Sequence, residues 1–322
     1  MKTHSYFRGE FFLTDYIYKK GNFDTSMIDS VYQSEGQFDQ YNLTGAELAL
    51  LEDELIVNPR RRGASLNEKK WRYEFAFTPN FGFLASPEPL PNNCELKISF
   101  DRSDWKTSLI KYGTVTETCT GLKIEDCYAI AEYVSSPKMR DYFEQIDYTP
   151  LTYNYDDCDV IIKSVSQSDT DIQFHNLRGG NCPKYVFAGL IPQANLNGNE
   201  GSSSTRFGHH FVDEFNIMFN GNSVNGYPIQ VKNNNPVYPQ HKFHEVTGRL
   251  HNLTCGSGLT LQAFKYNWLW AHYFEEDTTG NGWMGITMKL TRTVSEAMAL
   301  VVWVISENTL TIDKYHQIEK IN

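Results

Sequence analysis

Two patterns of apolar residues run along this chain, and one gives way to the other near residue 70. Before that point the clearest signal is helical. In residues 46–57 (AELALLEDELIV), Leu48, Leu51 and Leu55 recur at helical spacing, and Asn58-Pro59 closes the segment. After it the period is two. Tyr73, Phe75 and Phe77 alternate with Glu74, Ala76 and Thr78, and Cys94, Leu96, Ile98 and Phe100 alternate with Glu95, Lys97 and Ser99, predicting two strands with one buried face each. From Leu122 onward strand signals recur with turn residues between them: LKIEDCYAIAEYV, DCDVIIKSV, KYVFAGLI, DEFNIMF, SVNGYPIQV, LTLQAF, GITMKLTRT, ALVVWVI and TLTIDKYHQI. Short strands without helices between them point to an antiparallel sandwich or barrel, not a βαβ sheet. Residues 135–145 (SSPKMRDYFEQ) are the one helical insertion expected. Residues 299–305 are apolar at every position and should be buried on both faces. In residues 211–231, Phe215, Ile217 and Phe219 face one way, and Asn220-Gly221 supplies the positive φ angles of a tight hairpin.

The polar, Thr-rich stretch at 114–121 marks a boundary and predicts two domains, 1–118 and 119–322. A chain of 322 residues, 40% hydrophobic and 14% aromatic, has room for about two filled cores at roughly 150 residues each. The 19 Tyr and 20 Phe suit a pleated, half-buried surface and reinforce the all-β reading. A net charge of −10 works against binding a polyanion, so direct nucleic-acid contact is not expected. No apolar run reaches the roughly 20 residues of a membrane span, and the start lacks a signal-peptide core, so neither membrane insertion nor secretion is expected. Two long Asn-, Gly-, Ser- and Pro-rich connections, 193–208 and 232–245, are the natural places for contacts.

Each chemical motif meets a physical objection. His209, His210, Asp213 and Glu214 invite a metal, but in an extended segment residues four apart lie roughly 13 Å apart. His241, His244, Glu245 and His251 lack the second zinc-protease histidine, because Gly248 stands four residues after His244. Asp277, Thr279, Asn281 and Gly282 resemble a calcium loop whose twelfth position is Met288 instead of glutamate. Ser257 lies between glycines, but Cys255 breaks the nucleophile-elbow spacing, and Asp169 and Asp171 read as a surface turn. Cys94, Cys119, Cys127, Cys158, Cys182 and Cys255 form no Cys-x-x-Cys pair and read as free thiols. The basic run from Arg60 to Arg72 reads as a solvated loop, and the sequons at Asn42 and Asn252 need a secretory route. No catalytic, cofactor-binding or metal-ligating residue is therefore assigned, and no enzyme activity or cofactor is expected. In residues 267–273 (NWLWAHY) the aromatic side chains either stack on sugar rings or form a buried strand.

Three stretches then carry a resemblance. Residues 74–105, containing FGFLASPEPLPNNCELKISFDRSDW, resemble the late part of the first jelly roll in hexon-like major capsid proteins of Polinton/Maverick elements and adintoviruses. GGNCPKYVFAGLIPQANLNG followed by FGHHFVDEFNIMFNGNSVNGYPI is similar to that family's second jelly roll, and residues 282–318 to its C-terminal strands. Family members carry Asn-Pro-Phe where this chain reads Thr205-Arg206-Phe207, and the match enters the first jelly roll part-way. The resemblance implies antiparallel jelly-roll sandwiches, one partial or reduced (1–118) and one complete (119–322). It also implies a structural capsid subunit or an endogenised remnant of one, located in the virion or otherwise inside the cell. Such a subunit self-associates as a homotrimer in pseudo-hexagonal capsomers and meets other capsid proteins. The alternative is a β-sandwich module that binds carbohydrate or another ligand.

Overall fold

A computed structural model describes residues 135–144, 149–198, 207–231, 235–247, 268–274, 280–315 and 317–321, the short pieces 65–67, 70–72, 89–91 and 123–124, and a few isolated positions. The expected helix at 46–57, the strands at 73–77 and 94–100, the strand at 122–134 and the 114–121 boundary lie outside these residues, isolated positions aside. Upstream, β1 (Ser65–Asn67) and β2 (Lys70–Arg72) pair antiparallel. Helix α1 (Pro137–Glu144) begins where the sequence provides a cap. Ser136 accepts the Met139 N–H on its Oγ at 3.2 Å, and Pro137 opens the first turn, where its missing N–H is not needed.

From residue 151 onward the chain is built almost wholly of antiparallel strands: β3 (Leu151–Val165), β4 (Asp171–Asn181), β5 (Tyr185–Pro192), β6 (Val212–Phe219), β7 (Asn222–Ser223), β8 (Ile229–Gln230), β9 (Trp270–Tyr273), β10 (Asn281–Leu290), β11 (Met298–Ile312) and β12 (Ile318–Ile321). They sort into two sheets. One has the order β3-β11-β5-β9 with β12 also on β11, and the other β4-β10-β6 with β7 and β8 on β6. Successive long strands thus alternate between sheets, and the last long strand inserts between the first and third. That interleaving is a jelly roll.

Side-chain alternation explains the sandwich. Met284, Ile286, Met288 and Leu290 of β10 face inward beside Phe215, Ile217 and Phe219 of β6, and all are buried. Phe215 stacks on Trp270 of the facing sheet, with centroids 4.3 Å apart and planes 8° from parallel. The β6–β7 turn is the hairpin expected from Asn220-Gly221, whose φ angles are +52° and +79°.

Of the apolar run at 299–305, residues 299–304 are buried, as is Met298 before it, and Ile305 at its end is partly exposed. One face lines the sandwich, and the other is covered by a third layer. Helix α3 (Val237–Val246) brings Phe243 edge-on to Phe187, and Phe207 packs edge-on against Trp303. A short helix, α2 (Gln193–Leu196), follows β5. Two expectations change here. The 232–245 connection contains α3, and Leu261 and Phe264 are helical where LTLQAF was read as a strand. Beyond the sandwich, β3 and β11 continue together, and β12 joins the far side of β11 at residues 309–312. There Leu151, Tyr153 and Ile312 pack with Leu90, Tyr142 and Phe143, and the Tyr153 hydroxyl donates to the Pro89 carbonyl at 3.0 Å.

Candidate functional site

The sequence-derived motifs do not converge. His209 lies ahead of β6 with its ring edge-on to Trp268 at 4.7 Å, and burial lowers its pKa to about 4. His210 and Phe211 both take positive φ, +46° and +64°, in the turn that launches β6. Asp213 and Glu214 sit on β6, and Glu214 pairs instead with Lys289 across the sheet at 2.8 Å. His241, His244 and Glu245 lie on α3, where His244 is buried and Glu245 pairs with Lys242 at 2.8 Å; His251 is outside the described residues. Asn281 and Gly282 open β10 and Met288 is buried within it, so these three belong to a strand; Asp277, Thr279 and Ser257 lie outside. Among the described residues no three His, Cys, Asp or Glu come together as a metal site. Asp169 occupies the β3–β4 turn and Asp171 begins β4, accepting from Gln173 Nε2 at 3.1 Å. Cys158 and Cys182 are in no disulfide, and burial pushes the Cys182 thiol up to about 11.

The aromatic stretch at 267–273 resolves toward the core. Trp268 and Trp270 are 1% and 2% exposed, so they cannot stack on a ligand. The accessible indole lies elsewhere. Trp283, 59% exposed, stands on the outer face of the β4-β10-β6 sheet because its neighbour Met284 points inward. Its register partner on β4 is Gly179. A Cβ there would come within 2.7 Å of the indole, so only glycine leaves room for the ring to lie over that strand. The backbone N–H of Trp283 donates to Asn220 Oδ1 at 3.0 Å, and the backbone N–H of Asn220 donates to the Trp283 carbonyl at 2.9 Å.

Two shallow grooves flank this indole. One, of about 530 Å³, is lined by Gly179, Gly180, Asn220, Asn281, Gly282 and Trp283. The other, of about 340 Å³, is lined by His175, Asn176, Met218, Asn220, Gly221 and Trp283. Among the described residues neither is lined by a carboxylate, lysine or arginine. Residue-by-residue motif reading passed over this place, although alternation through GWMGITMKL puts Trp283 opposite the buried Met284 and Ile286.

A second feature concerns the edge of the other sheet. β3 is 15 residues long, and among the described residues no strand pairs with its outer edge. Its three carboxylates each meet a cation: Asp156 with Lys184, Asp157 with Lys320 and Asp159 with Arg178.

No family model and no curated protein matches the chain. Among solved structures it is similar to a chain in the 3.5 Å cryo-EM structure of the Sputnik virophage, with TM-score 0.34 and 12% identity over 53% of this chain and 39% of that one. It is similar also to PBCV-1 VP54, whose crystal structure was fitted into a reconstruction of Sputnik, with TM-score 0.37 and 12% identity over 58% of this chain and 54% of that one. A quasi-atomic model of the PBCV-1 capsid gives TM-score 0.35 and 11% identity over 58% and 55%. The match thus spans about half the length of those chains or less. The jelly roll itself stands on this chain's own strand order.

Proposed function

We propose that this protein is a structural subunit of a viral capsid, working by self-association and carrying out no chemical step. The observation that carries the reading is the interleaved order of the two sheets, β3-β11-β5-β9 facing β4-β10-β6-β8, in the region whose sequence resembles the second jelly roll of hexon-like capsid proteins. The finer proposal is a homotrimer. In it, residues 119–322 form the complete jelly roll of each subunit, residues 1–118 form a separate reduced one, and three subunits make a pseudo-hexagonal capsomer of the virion alongside other capsid proteins. Among the described residues no strand pairs with the outer edge of β3, which supports association, because a long strand edge offers backbone groups that another chain can cover.

Light scattering on the full chain tests this, with negative-stain electron microscopy of the same sample. The expected particle has three times the 37.1 kDa of one chain and a pseudo-hexagonal outline. A monomer that persists at the highest soluble concentration overturns the proposal.

A further inference from the structure

We propose that the two grooves around Trp283 form a binding site for a neutral carbohydrate, with the indole as stacking platform. The inference is independent of the capsid reading.

The chemistry of the lining selects the ligand. An exposed indole offers a flat apolar face that matches the C–H face of a pyranose ring. Trp283 is 59% exposed although it sits on a regular strand, and it is held there by two backbone-level contacts with Asn220 and by the clearance that Gly179 leaves. Such a ring is pre-positioned, so little ordering is required when a ligand arrives. Around it the polar groups are carboxamides and an imidazole. Asn281 and Asn220 border one side, and Asn176, His175 and Asn220 the other. Carboxamides both donate and accept, which suits hydroxyl groups that do the same.

Charge narrows the class further. Among the described residues neither lining holds a lysine or arginine to meet a phosphate, sulfate or sialic acid, nor a carboxylate to meet an amino sugar or polyamine. Arg178, next to Gly179 on β4, is already paired with Asp159. The glycines at 179, 180, 221 and 282 keep the floor open on both sides of the indole. A Cβ at Gly282 would run into the Asn220 side chain and come within 2.6 Å of the Phe219 ring. An oligosaccharide laid across Trp283 therefore reaches amide groups in both grooves.

The test uses the full-length protein and a fixed panel: cellotetraose, maltotetraose, fully N-acetylated chitotetraose and mannotriose as neutral probes, with a heparin tetrasaccharide as charged control. Saturation-transfer NMR identifies binders and calorimetry ranks them. At least one neutral probe should bind. Trp283→Ala should weaken it by about tenfold or more, corresponding to about 1.4 kcal/mol, whereas Trp283→Tyr keeps the stacking face and most of the affinity. Asn281→Ala should weaken binding without changing the melting temperature. The melting curve of each variant reports folding separately. Binding of none of the neutral probes, equal binding by Trp283→Ala, or binding of the heparin probe alone overturns the proposal. So does a loss of particle mass in Trp283→Ala without sugar binding, which would make the indole a contact between copies. Failure to form trimers would overturn the capsid reading and leave this one standing.

Discussion

Acidification should weaken the sandwich through two imidazoles, His209 and His272. Burial is the main cause in both, holding each ring at about 4 against an ordinary 6.5. For His209 a backbone hydrogen bond at Val212 and the charge of Asp213 oppose the shift. For His272 the nearby Lys242 reinforces it and Glu245 opposes it, with the ring edge-on to Phe274 at 4.8 Å. The folded state keeps both rings neutral, while the unfolded chain takes up protons below about 6.5. The stabilisation is therefore complete above that value, is lost as pH falls, and levels off once pH drops below about 4. One unit corresponds to 1.36 kcal/mol, so each ring has a ceiling of about 3 kcal/mol and loses about 2 kcal/mol by pH 5. Both rings keep some contact with solvent, and screening lowers the total for the pair to roughly 2 kcal/mol. Denaturant unfolding at pH 7, 6 and 5 measures this on the wild type, His209→Gln, His272→Gln and the double variant. Most carboxylates stay ionised across that window. The wild type should lose roughly 2 kcal/mol, and the double variant less than half as much. An unchanged slope in the double variant would refute the reasoning.

Two further substitutions probe packing. Phe215→Ala removes the ring stacked on Trp270 between the sheets, so it should cost about 3–5 kcal/mol and lower the urea midpoint without changing the m-value. Gly189→Ala places a Cβ 2.5 Å from Phe207 and 2.7 Å from Leu269 within a layer buried on both sides; a loss of about 1–3 kcal/mol should appear as a lower melting temperature.

The sequence was most legible where one physical rule acted alone. The unbroken apolar run at 299–305 required cover on two faces, and Asn220-Gly221 required a hairpin turn. Both features are present. β4 was missed because DIQFHNLRGGN shows little alternation: only Ile172 is fully buried, and the strand is held by its register with β10. Helix α3 was hidden for a related reason. Its buried positions, 236, 239, 243 and 244, do fall at helical spacing, but prolines at 236 and 239 and a histidine at 244 occupy three of them, so the stripe reads as turn signals and not as apolar periodicity. The grooves around Trp283 were unreadable from motifs because their floor is glycine from three separate segments, 179–180, 221 and 282, which only the folded sheet brings together. The histidine clusters show the converse: His209, Asp213 and Glu214 lie close in sequence, yet Glu214 pairs with Lys289 and no three such donors converge among the described residues.

The place of β11 between β3 and β5 has a consequence for synthesis. The strand that completes the sheet, Met298–Ile312, leaves the ribosome well after Leu151–Val165, on the order of ten seconds later at typical elongation rates. Throughout that interval the apolar edges of β3 and β5 lack the neighbour that will join them, and the closure is long-range in sequence, which slows it further. The nascent chain therefore presents a gap in its sheet that its own last long strand must fill before another molecule's strand does. Crowded production of many copies makes chaperone cover, or prompt release of each chain, part of what this topology demands of its cell.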